Sequence, residues 1–274
     1  MLTKNFSSQI FVYLIVLNNY LSMKLLKITG LNFDMIWKNK NENFKKLEED
    51  LKEVKTDILL LPEMFSTGFC MEPEQIADTN EETLLWLKKL AKEKDFAVCG
   101  SASIKENEHY FNRFYFVKPD GEVVHYDKRH LFSFSGEDKI YTAGNDRVIV
   151  NFKGLRILLQ VCYDVRFPVF SRNKEDYDAI FYVANWPETR IDAWKTLLKA
   201  RAIENQCYVF GLNRIGTDGN NLTYPESSYC FFADGSEISE TKNNLVTAEL
   251  DLTKLEAFRN KFQFLSDRDS FEIL

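Results

Sequence analysis

The chain has 274 residues, of which 45% are hydrophobic and 14% aromatic, enough for a large core and far from the composition of a disordered protein. A formal net charge of -6 with scattered basic residues lacks the positive footprint of a nucleic-acid binder, so a small polar molecule is the expected partner. Five widely spaced cysteines with no C-x-x-C pair suggest neither a disulfide framework nor a zinc site, and three histidines share no metal-binding spacing, so the expectation is a reduced, cytoplasmic enzyme without metal or other cofactor.

At the amino end, "IFVYLIVL" (Ile10 to Leu17) is too short to span a bilayer, and its flank "NNYLS" lacks a secretory cleavage pattern. Residues 1–22 are therefore expected to be an extension outside the fold, with a membrane-contacting anchor as the alternative, and residues 23–274 the single domain. Leu25 to Gly30 reads as a strand. Glu42 to Val54 spaces Phe44, Leu47, Leu51 and Val54 by three and four, as in an amphipathic helix. "DILLLPEMF" is an apolar strand stopped by Pro62, and Thr83 to Lys94 a second helix. "FAVCGSASI" and "YFNRFYFVKPDGEVVHYDK" supply three strands, the last two joined by a Pro119-Asp120-Gly121 turn.

After a loop from Arg129 to Asn145, "RVIVNFKGLRILLQVC" holds two strands about Lys153-Gly154. A short helix from Phe167 to Glu175, the strand "YDAIFYVA", a long helix from Glu188 to Gln206 and the strand "CYVFGLNRIG" follow. The close has two strand-rich stretches, "SSYCFFADGSEIS" and "NLVTAELDL", then a helix from Thr253 to Lys261. No repeat or linker divides the chain. Because meander and crossover segments alternate twice, two sheets between helix layers fit better than one doubly wound sheet.

Ligands of α/β proteins gather beyond the carboxyl ends of strands. There the apolar runs stop on Glu63 ("ILLLPE"), Lys128 ("EVVHYDK"), Cys162 ("ILLQVC") and Asn185 with Trp186 ("AIFYVANW"). Amide cleavage needs a strong nucleophile, a base for its proton and a donor for the developing oxyanion. Cys162, Glu63 and Lys128 are those residue types, and the backbone N–H of Tyr163 is placed to assist Lys128. Taken singly, each has a plainer reading: a buried core thiol, a capping glutamate and a basic surface turn.

"LLLPEMFSTGF", "YDKRHLFSFSGEDKIYTAG" and "LQVCYDVRFPVFSRN" together resemble the three catalytic motifs of the nitrilase superfamily of carbon-nitrogen hydrolases, and "VANWPETRIDAWKTLLKARAIENQCYVFGLNRIG" resembles the segment that follows them. The resemblance covers roughly Met23 to the carboxyl terminus. It implies an α/β fold of four-layer α-β-β-α type, a Glu63, Lys128 and Cys162 triad, a supporting Glu137, and a homodimer or larger assembly. The motif flavours are most similar to the omega-amidase branch, which cleaves the terminal amide of short dicarboxylic monoamides such as 2-oxoglutaramate or 2-oxosuccinamate. The far carboxylate of such a substrate needs a cation; Arg166 is the first candidate and Arg190 the second, with Asn185 and Trp186 lining the wall. Alternatives are an N-carbamoyl compound, deaminated glutathione or a nitrile on the same triad, Cys-His chemistry through His130, and a non-catalytic binding module.

Overall fold

The computed structural model describes residues 25–272, so the extension expected over residues 1–22 lies outside the described residues. One sheet is formed by Leu25–Leu31 (β1), Ile58–Leu60 (β2), Ala97–Glu106 (β3), His109–Val117 (β4) and Val123–Asp127 (β5). The other is formed by Ile149–Phe152 (β6), Leu155–Val161 (β7), Ala179–Ala184 (β8), Tyr208–Asn213 (β9) and, beyond the small ladder of Gly216–Thr217 (β10) with Thr223–Tyr224 (β11), Tyr229–Phe231 (β12). Glu240–Lys242 (β13) and Leu245–Asp251 (β14) return to the first sheet, whose order is β13-β14-β1-β2-β3-β4-β5; the second runs β12-β9-β8-β7-β6. The helices are Lys40–Asp50 (α1), Pro73–Ile76 (α2), Glu82–Lys94 (α3), Pro168–Ser171 (α4), Ile191–Asn205 (α5) and Leu252–Lys261 (α6).

Strand alternation sorts the side chains into layers. Ile58 and Leu60 of β2 join the core that also holds β7, β8 and β9, whereas Leu59 and the following Leu61 pack with Leu47 of α1 and Leu87 of α3. On the other side, Trp194, Leu198 and Ala202 of α5 cover the second sheet. That approach is close: a Cβ on Gly211 of β9 would sit 2.2 Å from Leu198 Cδ1. The result is the expected four-layer α-β-β-α sandwich. No helix among the described residues is long and apolar enough to cross a membrane.

The strand directions matter most for the site. β1, β2 and β3 are parallel, and two antiparallel pairings carry the chain through β4 to β5, which again runs with β2. In the second sheet β7, β8 and β9 are parallel. The turn between β4 and β5 is as expected, with Gly121 at φ 91°.

Four helices differ from the sequence reading: α2 is unexpected, α5 begins at Ile191 after a separate 3-10 turn over Glu188–Arg190, and α1 and α4 differ in extent. α1 starts earlier, where Asn39 accepts from the Glu42 N–H at 3.2 Å, and stops with Leu51 as its cap instead of reaching Val54. The helix expected over Phe167 to Glu175 shrinks to α4, because the buried Asn173 side chain accepts from the N–H groups of Glu175 (2.8 Å) and Asp176 (3.3 Å) and turns the chain there.

Candidate active site

Glu63 stands three residues beyond β2, Lys128 directly after β5, Cys162 directly after β7 and Asn185 directly after β8. Two turns at these ends bend through left-handed backbone: Met64 has φ 47° and Cys162 φ 45°. For side chains other than glycine this costs roughly 1–2 kcal/mol per residue, so it needs fixed partners. Met64 N–H donates to Ser101 Oγ of β3 at 2.9 Å. At the second turn, Val161 N–H donates to Asp164 Oδ2 at 2.9 Å, closing the one-turn helix Cys162–Arg166 on itself.

Lys128 and Glu63 are both completely buried and touch, Nζ to Oε1, at 2.9 Å. Lys128 Nζ also donates to Glu137, at 2.9 Å to Oε2 and 3.2 Å to Oε1. Glu137 therefore pairs with Lys128 and not with its sequence neighbour Lys139. Burial alone pulls the Lys128 ammonium down, but the facing carboxylates of Glu137 and Glu63 outweigh it and hold its proton firmly. Burial pushes Glu137 up, against the pull of Lys128. Burial likewise raises the Cys162 thiol well above the ordinary range, with the charge on Glu63 adding to it and Lys128 opposing. A thiol raised in this way becomes nucleophilic only when a base takes its proton.

Reading the sequence missed the residues that hold these groups. Asn112, a fully buried asparagine of β4, donates from Nδ2 to Glu63 Oε1 (2.8 Å) and Glu137 Oε1 (3.2 Å). Asp164, also fully buried, takes Tyr126 Oη–H at 2.9 Å as well as the His130 N–H at 3.0 Å and lies 2.7 Å from His130 Nδ1. His130 stacks flat on Phe167 at 3.9 Å. Its ring is thus committed to Asp164, which disfavours the Cys-His alternative. A polar residue three places after an apolar strand was the only available signal for Asp164.

Glu63, Lys128 and Cys162 lie together at one cleft of about 720 Å³, where Tyr163, Asn185 and Trp186 also surface. Glu137 is behind Lys128, outside the lining. Arg166 and Arg190 line the same cleft; their guanidiniums lie over the rings of Trp186 (5.1 Å) and Phe132 (5.2 Å). Among the described residues neither forms an ion pair with a carboxylate, not even with the nearby Asp164 or Glu188. Tyr163 packs edge-on against Phe132 and Phe167. Of the phenylalanines near the motifs, Phe65 belongs to the core, while Phe69, Phe132 and Phe134 face the cleft. The opposite wall comes from the β10–β11 hairpin, where Tyr224 Oη donates to Asp218 Oδ2 at 2.8 Å. Cys99, Cys207 and Cys230 are fully buried in the core, while Cys70 joins the cleft wall. No group of His, Cys, Asp and Glu among the described residues is arranged to hold a metal ion.

A sandwich that gathers a thiol, two carboxylates and an ammonium at its strand ends matches one protein class. The family model described as carbon-nitrogen hydrolase matches residues 28–260, and the chain belongs to that family. It is 42% identical to the "Omega-amidase YafV" of Yersinia enterocolitica over 256 residues, covering 92% of this chain and all of the relative. Identity to the "2-oxoglutaramate amidase" of Bacillus subtilis is 33%, covering 88% of this chain and 96% of the relative. Among solved structures, the CN-hydrolase superfamily protein XC1258 from Xanthomonas campestris, carrying an arsenic adduct in its active site, superposes with a TM-score of 0.87 at 38% identity, over 91% of this chain and 99% of that one.

Proposed function

We propose that the chain is an amidase that hydrolyses the terminal amide of a short dicarboxylic monoamide, of the 2-oxoglutaramate or 2-oxosuccinamate type, to the acid and ammonia. The observation that carries this reading is the meeting of Cys162, Glu63 and Lys128 at a cleft whose wall holds two guanidiniums without carboxylate partners. The names of the relatives favour the same substrates. Glu63 takes the Cys162 proton as sulfur bonds to the amide carbon, and the carbonyl electron pair moves onto oxygen. Lys128 and the Tyr163 N–H stabilise that oxyanion, and Glu137 keeps the ammonium in place. Glu63 then gives its proton to the leaving nitrogen, so ammonia departs and a thioester remains. Water, deprotonated by Glu63, attacks the thioester, and the acid leaves as the proton returns to sulfur. Arg166, with Arg190 nearby, receives the far carboxylate, while Asn185 and Trp186 shape the wall. The enzyme acts in the reduced cytoplasm as a homodimer or larger homo-oligomer without a cofactor.

Ammonia release from 2-oxoglutaramate, measured beside an N-carbamoyl amino acid, deaminated glutathione and an aliphatic nitrile, tests the reading. Preference for 2-oxoglutaramate by at least an order of magnitude in kcat/KM is expected; preference for any of the others overturns the substrate class while keeping the chemistry.

A further inference from the structure

We propose that Asn112, oriented by Ser101, is a positioning residue that leaves a single oxygen of Glu63 open to the nucleophile. A carboxylate offers two acceptor sites on each oxygen. Both sites of Glu63 Oε1 are taken, by Lys128 Nζ at 2.9 Å and Asn112 Nδ2 at 2.8 Å. Oε2 accepts the Asn185 N–H at 2.9 Å and, from farther off, the Asn185 side-chain amide at 3.5 Å. Oε2 is therefore the less committed oxygen, and the Cys162 thiol, 4.0 Å from the Asn185 carbonyl, lies beside the residue whose N–H that oxygen accepts. The proton therefore travels between sulfur and Oε2, with Oε1 serving only as an anchor. The inference rests on the proposed roles of Cys162 as nucleophile and Glu63 as base.

Asn112 can do this only if its amide points the right way, because a flip would set its oxygen against two carboxylates. Ser101 prevents the flip: its hydroxyl donates to Asn112 Oδ1 at 2.8 Å, while Ser101 Oγ accepts from the Met64 N–H next to Glu63. The chain Met64, Ser101, Asn112, Glu63 thus returns to the residue beside its start. Asn112 adds no charge, so it fixes both glutamates without weakening the base by a second cation. The ionisable groups around Glu63 are Lys128 after β5, Glu137 in its loop, Cys162 after β7 and Tyr141, whose hydroxyl donates to the Cys70 carbonyl.

The test is the pH profile of Cys162 alkylation by iodoacetamide, followed by peptide mass mapping, in wild type, Asn112→Asp, Ser101→Ala and Ser101→Thr. The carboxylate of Asn112→Asp should move the acidic limb upward by about one pH unit through like-charge repulsion. Ser101→Ala should slow alkylation about tenfold at neutral pH at unchanged melting temperature, with Ser101→Thr, which keeps the hydroxyl, recovering most of the rate. A wild type not alkylated at Cys162 defeats the nucleophile reading itself. A wild-type rate and profile in Ser101→Ala, whether or not Asn112→Asp folds, overturns the positioning role alone.

Discussion

Glu63 and Asn185 are joined through both side chain and backbone: Asn185 N–H donates to Glu63 Oε2 at 2.9 Å, and Asn185 Nδ2 donates to the Glu63 carbonyl at 2.6 Å. Glu63 follows a strand of the first sheet and Asn185 a strand of the second. The pair therefore ties Glu63 to the sheet that carries Cys162. Asn185→Ala keeps the backbone bond and loses the other, so kcat on the amide should fall about tenfold with a stability loss of about 1–2 kcal/mol. Steady-state kinetics with urea unfolding measure both.

Cys162→Ala should abolish ammonia release, with a rate at least about 10³-fold lower, while the melting temperature holds within a few degrees. A variant retaining full activity sinks the nucleophile assignment. Mass spectrometry of the wild type quenched during turnover should find the acyl group on Cys162.

Lys128→Met leaves Glu63 and Glu137 facing each other in the interior without a counter-charge. Breaking such a buried pair costs about 3–5 kcal/mol, so both activity and denaturant midpoint should drop sharply. Glu137→Gln keeps an acceptor for the Phe132 N–H and should unfold at a midpoint nearer to wild type.

Arg166→Met should raise KM for an anionic monoamide roughly tenfold to a hundredfold, the loss of a charge-assisted hydrogen bond of about 1.5–3 kcal/mol. Its kinetics on an uncharged amide such as propionamide should stay within twofold. Equal effects on both substrates would assign Arg166 to packing against Trp186 instead of to the carboxylate.

Alkaline pH should destabilise the fold. Burial raises the thiols of Cys99, Cys162, Cys207 and Cys230 and the phenol of Tyr126 well above their ordinary values. Above about pH 8.5 the unfolded thiols ionise while the folded ones keep their protons, so the native state binds more protons and stability falls as pH rises. Each thiol takes about 1.4 kcal/mol per pH unit beyond that point. Urea midpoints from pH 7 to 10.5 should decline with increasing slope; a flat profile contradicts the burial of these groups.

What could be read in the sequence follows from how buried parallel strands are written. "ILLLPE" and "ILLQVC" are continuous apolar runs because both faces are covered, so the polar residue that ends each one stands out. The helix cap at Asn39 and the Asx turn at Asn173 were not legible in that way, since side-chain bonding to a nearby backbone leaves no periodic trace. Asn112 and Ser101 sit inside strands whose alternation reads them as ordinary outward-facing polar residues. Only the pairing of β3 with β4, which sets Ser103 opposite Asn112, brings the two near Glu63. The β10–β11 hairpin on the far wall has no apolar pattern at all, and its place depends on Asp218 gathering Tyr224 and the N–H groups of Asn220 and Leu222.

β14 pairs with β1 along seven residues, although more than two hundred residues separate the two strands in the chain. Synthesis proceeds at ~5–20 residues per second, so roughly ten to forty seconds pass between them. Until β14 is made, β1 lacks its antiparallel partner, and that side of the strand, opposite β2, is an open edge able to template wrong pairing.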